Sequence, residues 1–173
     1  QKRFHSFEQS GRFTSACGPS IYRDTILFGR SGVTHAFTCE PFHNVIQRSV
    51  IREDGVSFSG ERADDGERDF FASADRWSRP VFTRTGPDGA LWFADMYRYM
   101  IEHPHWLPKN GQDELRPHFR SGDTFGRIYR IVPKNKPLRE VLRLAGRKPA
   151  ELVDLLSSEN GTVRDMAHRL LIE

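Results

Sequence analysis

The stretch WSRPVFTRTGPDGALWFADMYRYMIEH, residues 77–103, contains two strand patterns joined by a tight turn. Residues 81–85 alternate in polarity and lead into GPDG at 86–89, where Pro presets φ and Gly tolerates a positive φ. Residues 90–94 form an apolar, aromatic-rich run of strand length. The stretch therefore predicts a β-hairpin.

Polar side chains concentrate where this hairpin begins and ends. Function tends to lie in loops that a rigid sheet positions at its strand ends. Arg79 enters the first strand and Asp95 leaves the second, so an antiparallel pair places both at one end and the 86–89 turn at the other. The residues that we expect at this mouth of the sheet assembly are Arg79, Asp95, Tyr97, Arg98, Glu102 and His103. The alternative is that Arg79 binds Asp95 or Glu102 only to brace the loop that follows.

Several acidic and imidazole side chains are candidate metal ligands or bases. Asp95 and Glu102 supply the hard oxygen donors that Ca²⁺ prefers, although an Asp that closes a strand usually caps a turn. His103 could bind a metal together with the next histidine along, but a surface loop explains this pair better. Glu40 and His43 are a second acid and imidazole pair, for which a turn-stabilising role is the simpler interpretation.

Aromatic side chains in and around the hairpin could stack against the face of a ring-shaped ligand. The candidates are Trp77, Trp92, Trp106, Tyr97 and Tyr99. Aromatic residues interleaved with strands more often pack in a core, and we assign Trp92 and Phe93 to it. Trp106, in the loop after the hairpin, is the better candidate for a ligand contact.

The composition predicts an ordinary folded domain with a mixed surface. The chain has 173 residues, and its 26 basic and 23 acidic side chains are interleaved, which gives little support to nucleic-acid binding. It contains no apolar run of membrane-spanning length. Because it begins at Gln1 without a signal peptide or initiator Met, we expect a fragment of a longer protein.

The two cysteines, Cys17 and Cys39, each lie in or beside a strand pattern. Two thiols do not make a four-thiolate zinc site, and no haem-attachment motif occurs in this segment. A disulfide between neighbouring strands and a pair of buried thiols are both compatible with this placement.

The rest of the chain up to residue 132 predicts further short strands. Four candidates, separated by turn residues, are 16–23, 33–40, 44–52 and 56–62, and residues 126–132 alternate most plainly of all. A four-stranded antiparallel meander is typical of one β-propeller blade. Residues 97–122 are polar and interrupted by Pro, which favours an irregular insertion. We therefore predict two antiparallel units packed face to face, residues 14–62 and roughly 70–132.

The pattern changes to a helical period after the basic linker PKNKP at 133–137. Leu and Val recur at helical spacing in residues 138–144, 150–156 and 162–172. Helices joined by short turns are the unit of an α-solenoid. This change divides the chain into residues 1–133 and 134–173.

The motifs ACGPSIYR, CEPFHNVIQR, WSRPV, GPDGALWFADMYRYMIEHPHW, GRIYRIVP and AELVDLLSSENGTVRDMAHRLL resemble those of the PVC-type membrane-bound dehydrogenases. These secreted or periplasmic proteins have a β-propeller similar to that of soluble quinoprotein sugar dehydrogenases, followed by HEAT-like helical repeats. The resemblance covers residues 14–173. It implies a mainly β chain that is a partial β-propeller of about two blades followed by the start of a HEAT-like segment.

The resemblance also implies a function and a set of site residues. The chain would be part of a sugar or alcohol dehydrogenase, with the remaining blades and repeats of the same protein as partners. Pyrroloquinoline quinone and Ca²⁺ are the implied cofactors. The cofactor-binding residues would be Arg79, Tyr97, Arg98, Trp106 and His43, and the metal ligands Asp95, Glu102 and His103. The lysine that the quinoproteins place near residues 41–44 is absent here. The extracytoplasmic setting favours the Cys17–Cys39 disulfide.

Two other functions are compatible with the same residues. One is a non-catalytic propeller and HEAT scaffold that binds carbohydrate or a partner protein, because one fold hosts many functions. The other is a metal-dependent, lactonase-like hydrolase, which requires a carboxylate-rich central site.

Overall fold

Eight strands form two antiparallel sheets in the computed structural model, which describes residues 13–64, 68–101, 103, 105 and 107–173. The first sheet contains β1 (Cys17–Ile21), β2 (Thr34–Glu40), β3 (Val45–Asp54), β4 (Ser57–Arg62) and β5 (Phe71–Ala72). The second contains β6 (Pro80–Thr85), β7 (Leu91–Asp95) and β8 (Arg127–Ile131), with β7 in the middle. The prediction of a mainly β chain with two antiparallel units is confirmed. The described sheets do not close into a barrel or a propeller.

The predicted boundary between the two units is wrong at β5. This strand pairs with the first half of β3, through Val45↔Ala72 and Ile46↔Phe71, and so belongs to the first sheet. β4 pairs with the second half of β3, from Ser49 to Asp54. The ten residues of β3 are long enough to hold both partners along one edge.

The first strand carries a bulge that allows the two sheets to approach closely. The register of β1 against β2 shifts by one residue between Cys17 and Ser20. Gly18 lies in this bulge with φ +55°, and a Cβ there would stand 2.3 Å from the carbonyl oxygen of Val81 on β6. Only glycine satisfies both the left-handed backbone and the short distance to β6.

Side chains from both sheets form the main hydrophobic core. Phe37 and Ile46 of the first sheet pack with Leu91 and Phe93 of the second, and all are at most 2% exposed. The assignment of Phe93 to the core is confirmed. The same assignment of Trp92 is wrong, because successive residues of a strand point to opposite faces and Trp92 lies on the outer face, 36% exposed.

The loop between β7 and β8 has structure of its own. It contains α1 (Lys109–Leu115) and a 3-10 helix (Arg116–His118). Met100, Leu107 and Leu115 form a second, small core there. The prediction of an irregular insertion is therefore wrong in this part, because three spaced apolar residues suffice to bury one short helix.

Helices follow β8, as the change of period predicts, but they begin later than expected. Residues 138–144 are not helical; α2 (Pro149–Leu155) and α3 (Gly161–Ile172) are the two α-helices in this part of the chain. The segment before α2 is held by tertiary contacts, since the Arg139 N–H donates to the Asp88 carbonyl at 2.9 Å. Within the described residues, no helix is long and apolar enough to cross a membrane.

A buried polar network attaches the helices to the sheets. The Asp24 carboxylate is fully buried and accepts hydrogen bonds from the Arg139 guanidinium. Asn160, also fully buried, donates to Asp24 and to the Gly86 carbonyl, both at 2.8 Å. Its side-chain oxygen accepts from the Val163 N–H and so caps α3. One side chain thus begins α3 and fixes it to the turn of the β6–β7 hairpin.

Replacing Asn160 by Ala should destabilise the fold by about 2–4 kcal/mol, because it removes a helix cap and leaves buried acceptors unsatisfied. Chemical denaturation monitored by circular dichroism measures this loss. Asn135→Ala, at an exposed position, is the matched control and should change stability by less than about 0.5 kcal/mol. Equal effects of the two substitutions would contradict the role of Asn160.

Acid should weaken the attachment of the helices through Glu159. Hydrogen bonds from Arg30, Arg139 and Thr25, in that order, lower the pKa of Glu159 from 4.5 to about 2. Because the folded-state pKa is depressed, the stabilisation is complete above pH 4.5 and is lost as the pH falls toward 2.

The test is the difference in thermal midpoint between the wild type and Glu159→Gln over this range. Above pH 4.5 we expect a constant difference in thermal midpoint between the two proteins. This difference should shrink to nothing as the pH falls to about 2. A difference that persists unchanged in strong acid would exclude Glu159 as the titrating group.

Candidate functional site

The ends of three strands meet where the hairpin analysis places the candidate residues. Pro80 pairs with Asp95, and Asp95 pairs in turn with Arg127 at the start of β8. The 86–89 turn lies at the opposite end of the β6–β7 hairpin. The structure therefore brings Arg79, Asp95, Tyr97 and Arg98 together, and this group is called the strand-end cluster below.

The Asp95 carboxylate is buried and already has a full set of donors. Its Oδ1 accepts from the backbone N–H groups of Arg79 at 2.7 Å and Tyr97 at 2.9 Å. Its Oδ2 accepts from the Ser78 hydroxyl at 3.0 Å and from Arg127 Nη2 at 2.7 Å. The bond to Tyr97 closes the turn after β7, which is the capping role of an Asp at a strand end. Asp95 therefore has little capacity left for a metal ion.

Arg79 is a buried brace rather than an open anion-binding group. It is 1% exposed, and its Nη1 donates to the Pro41 carbonyl at 2.8 Å. Its Nε and Nη2 donate to the carbonyls of Arg98 and Tyr99 at 3.0 and 2.9 Å. The guanidinium thus ties the turn between β2 and β3 to the loop after β7. It does so through backbone carbonyls, whereas the bracing alternative assigns this role to a bond with Asp95 or Glu102; Asp95 accepts from the Arg79 backbone N–H instead.

The backbone of Tyr97 is held in an unusual conformation. Its φ is +53°, in the left-handed region that few residues other than Gly and Asn adopt. Arg98 Nη1 donates to the carbonyls of Tyr97 and Gly122, at 3.1 and 2.6 Å. A Cβ on Gly122, whose φ is +95°, would lie 2.4 Å from the Tyr97 carbonyl oxygen. These contacts fix the path of the loop around Tyr97.

An open cleft of about 650 Å³ adjoins the strand-end cluster. This aromatic cleft is lined by Trp77, Tyr97, Thr124, Phe125, Gly126 and Arg127. The Trp77 and Tyr97 ring centroids are 5.7 Å apart, and those of Tyr97 and Phe125 are 6.5 Å apart. Phe125 is 61% exposed, so its ring has a free face. The cleft is therefore an aromatic surface open to solvent at the end of a rigid sheet.

The charged groups of the aromatic cleft are fixed in position. The Arg127 guanidinium lies over the Tyr97 ring, 3.9 Å from its centroid, and is about one-third exposed. Although desolvation lowers the pKa of Arg127, the hydrogen bond and charge of Asp95 outweigh it and raise the pKa. Asp75 is the second acid near Arg127, at 3.3 Å. Desolvation and the charge of Asp75 raise the pKa of the Tyr97 phenol, which is therefore protonated at neutral pH.

Arg127, Asp75 and Phe125 are absent from the sequence-based list of candidates. A usable signal exists for Arg127, which begins the plainest strand in the chain and would face the end of β7 in an antiparallel register. No comparable signal marks Phe125, because its importance depends on a cleft formed by residues distant in sequence.

His103 and His43, two further candidates that the structure describes, do not line the aromatic cleft. His103 is exposed, and its Nδ1 accepts from the His105 N–H at 3.3 Å, which fits a surface loop. His43 contacts Phe42 edge to face and lines a separate polar cavity of about 270 Å³ with Glu40. Glu40 is buried and accepts hydrogen bonds from Thr14 and Ser15, a structural role. Glu102 and Trp106 lie outside the described residues.

The implied cofactors do not fit the described residues assigned to them. Quinone carboxylates would require free guanidinium donors, whereas Arg79 and Arg98 donate to backbone carbonyls. Ca²⁺ would require several open oxygen ligands, and the described part of the chain contains no group of three or more His, Cys, Asp or Glu placed to hold a metal.

Both cysteines are free thiols in the structure, so the expected disulfide is not formed in it. The Cys17 thiol is directed to the second sheet, where it donates to the Val81 carbonyl at 3.4 Å. Cys39 is fully buried in the main core. The structure therefore contains two free thiols, of which Cys39 is buried, as the alternative expects, and Cys17 is only partly buried.

Comparison with known proteins identifies the family. The fold and site define a mainly β protein with an aromatic surface cleft at a sheet end. The chain belongs to the family of the domain of unknown function DUF7133, whose model matches residues 1–135. This match includes both sheets and the aromatic cleft. No curated protein and no solved structure matches the chain.

Replacing Arg79 by Ala should lower the free energy of unfolding by at least about 3 kcal/mol, because buried carbonyls lose their donors. Arg79→Lys should recover little of this, since one ammonium group cannot span the carbonyls that the guanidinium fork reaches. Denaturant titration measures both variants. Arg84→Ala, an exposed position on the same strand, is the control and should remain close to wild type. Unchanged stability of Arg79→Ala would contradict the bracing role.

Proposed function

We propose that this chain is a sugar-recognising segment of a larger protein that resembles the quinoprotein dehydrogenases. In this proposal the sheets are part of a β-propeller wall, the helices begin a HEAT-like repeat, and the segment contributes substrate contacts rather than cofactor ligands. The observation that carries the proposal is the aromatic cleft. Support for the wider assignment comes from the motif resemblance and from the antiparallel sheets.

The aromatic cleft suits a sugar ring in size and chemistry. Its volume of about 650 Å³ lies in the range of small-molecule sites. Sugar rings present C–H groups on one face, which pack on aromatic rings such as those of Phe125 and Trp77. Their hydroxyl groups both donate and accept hydrogen bonds. Arg127, which lines the cleft, can donate to these hydroxyl groups, and Asp75, paired with Arg127, is the nearby acceptor.

One guanidinium nitrogen remains available for such a ligand. Arg127 donates to Asp95 and Asp75 through Nε and Nη2. Its Nη1 has no acceptor within the part of the chain that the structure describes. Because the bonds of Nε and Nη2 hold the Arg127 side chain in place, its Nη1 can orient a neutral hydroxyl group without rearrangement.

Phe125→Ala should weaken sugar binding about threefold to tenfold, because it removes one stacking face, and should leave stability unchanged. The measurement is a titration of the full-length protein with monosaccharides, followed by Trp fluorescence and by calorimetry. Phe82→Ala is the matched control, since Phe82 is 50% exposed on the outer face of the second sheet and does not line the cleft. Sugar binding that is insensitive to Phe125→Ala would refute the assignment of the cleft.

The same preparation distinguishes a dehydrogenase from a non-catalytic scaffold. A non-catalytic scaffold is favoured by the hydrogen bonds that Arg79 and Asp95 make within the fold, because these leave the two side chains little capacity for a cofactor. Full-length protein loaded with pyrroloquinoline quinone and Ca²⁺ should reduce a dye acceptor when the sugar is added. Binding without dye reduction would instead establish a carbohydrate-binding scaffold.

A further inference from the structure

Cys17 and Cys39 lie directly opposite each other in the pairing of β1 with β2. Residues paired in this way have Cα atoms about 4.5–5.5 Å apart, within the range of about 4.4–6.8 Å that disulfides span. Their side chains share one face of the sheet, and both pack in the main core. The backbone therefore suits a covalent bond between two side chains that are free thiols in the structure.

We propose that Cys17 and Cys39 are a redox-active dithiol that a low-molecular-weight disulfide converts into a cross-strand disulfide. The Cys17 thiolate attacks one sulfur of the oxidant and expels its first thiolate, which leaves a mixed disulfide on Cys17. The Cys39 thiolate then attacks the Cys17 sulfur and expels the second. Two protein thiols are oxidised, one small disulfide is reduced to two thiols, and the two protein thiol protons end on the thiols released.

The order of attack follows from exposure. Cys17 is only partly buried, whereas Cys39 is fully buried, so the oxidant reaches Cys17 first. Closure requires the Cys17 sulfur to turn from the Val81 carbonyl toward Cys39, at the loss of one weak hydrogen bond. Burial raises the pKa of both thiols, that of Cys39 to about 12. Because thiolates are the attacking species, oxidation accelerates as the pH rises.

The bond would close a loop that carries contacts between the sheets and the helices. Residues 22–33, between β1 and β2, include Arg23, whose guanidinium pairs with Asp165 of α3. They also include Asp24, which accepts from Arg139 and Asn160. Oxidation therefore constrains the segment on which the helices dock and stabilises their attachment. This inference is independent of the proposed sugar site.

The test equilibrates the reduced, folded chain with oxidised glutathione, followed by alkylation, intact mass and peptide mapping. We expect a peptide that links Cys17 to Cys39, and a rise in the thermal midpoint of roughly 5–10 °C. Cys39→Ser should stop at a glutathione adduct on Cys17. Cys17→Ser should react far more slowly, because its remaining thiol is fully buried.

Three results would overturn the proposal. One is wild-type protein that keeps two alkylatable thiols under oxidising conditions, and another is wild-type protein that stops at the mixed disulfide. The third is a disulfide that forms only in denaturant, since the reaction proposed is one of the folded state. Each is read directly from the mass of the intact chain.

Discussion

The buried carboxylate of Asp95 is the constraint on which the second sheet and its loop depend. Burial of a carboxylate costs several kcal/mol unless hydrogen bonds compensate for the lost water. Here the donors come from Ser78, the Arg79 and Tyr97 backbone and the Arg127 side chain. They belong to the residues just before β6, the loop after β7 and the start of β8, so one residue at the end of the central strand fixes all three segments.

The docking of the helices uses the same arrangement at Asp24. This carboxylate closes the turn after it by accepting from the Thr25 and Ile26 N–H groups. It also accepts from an arginine distant in sequence, Arg139, and from the helix-capping Asn160. In both cases local backbone donors place the carboxylate, and a distant guanidinium neutralises it. The helices are therefore attached by buried, directional polar contacts.

The hairpin could be predicted because its causes are local. The alternation in 81–85 and the GPDG turn determine which strand ends coincide, and this brings Arg79 beside Asp95. Features that depend on contacts with residues distant in sequence could not be predicted from the local pattern. An apolar run does not reveal whether Trp92 or Phe93 faces the other sheet, and helical spacing in 138–144 is overridden by the contacts of Arg139. Phe125 lacks any local signal for the same reason.

Residue type alone does not show which side chains at the strand ends hold the fold together and which face the cleft. Arg79 and Asp95 have the chemistry of ligand-binding groups, but both form hydrogen bonds to other groups of the fold. Together they hold Tyr97 in one position. Its left-handed backbone conformation costs about 1–3 kcal/mol and persists only because the surrounding contacts impose it. If a sugar ring binds against Tyr97, as proposed above, it does not have to order the loop first. Less of the binding free energy is then spent on ordering the protein.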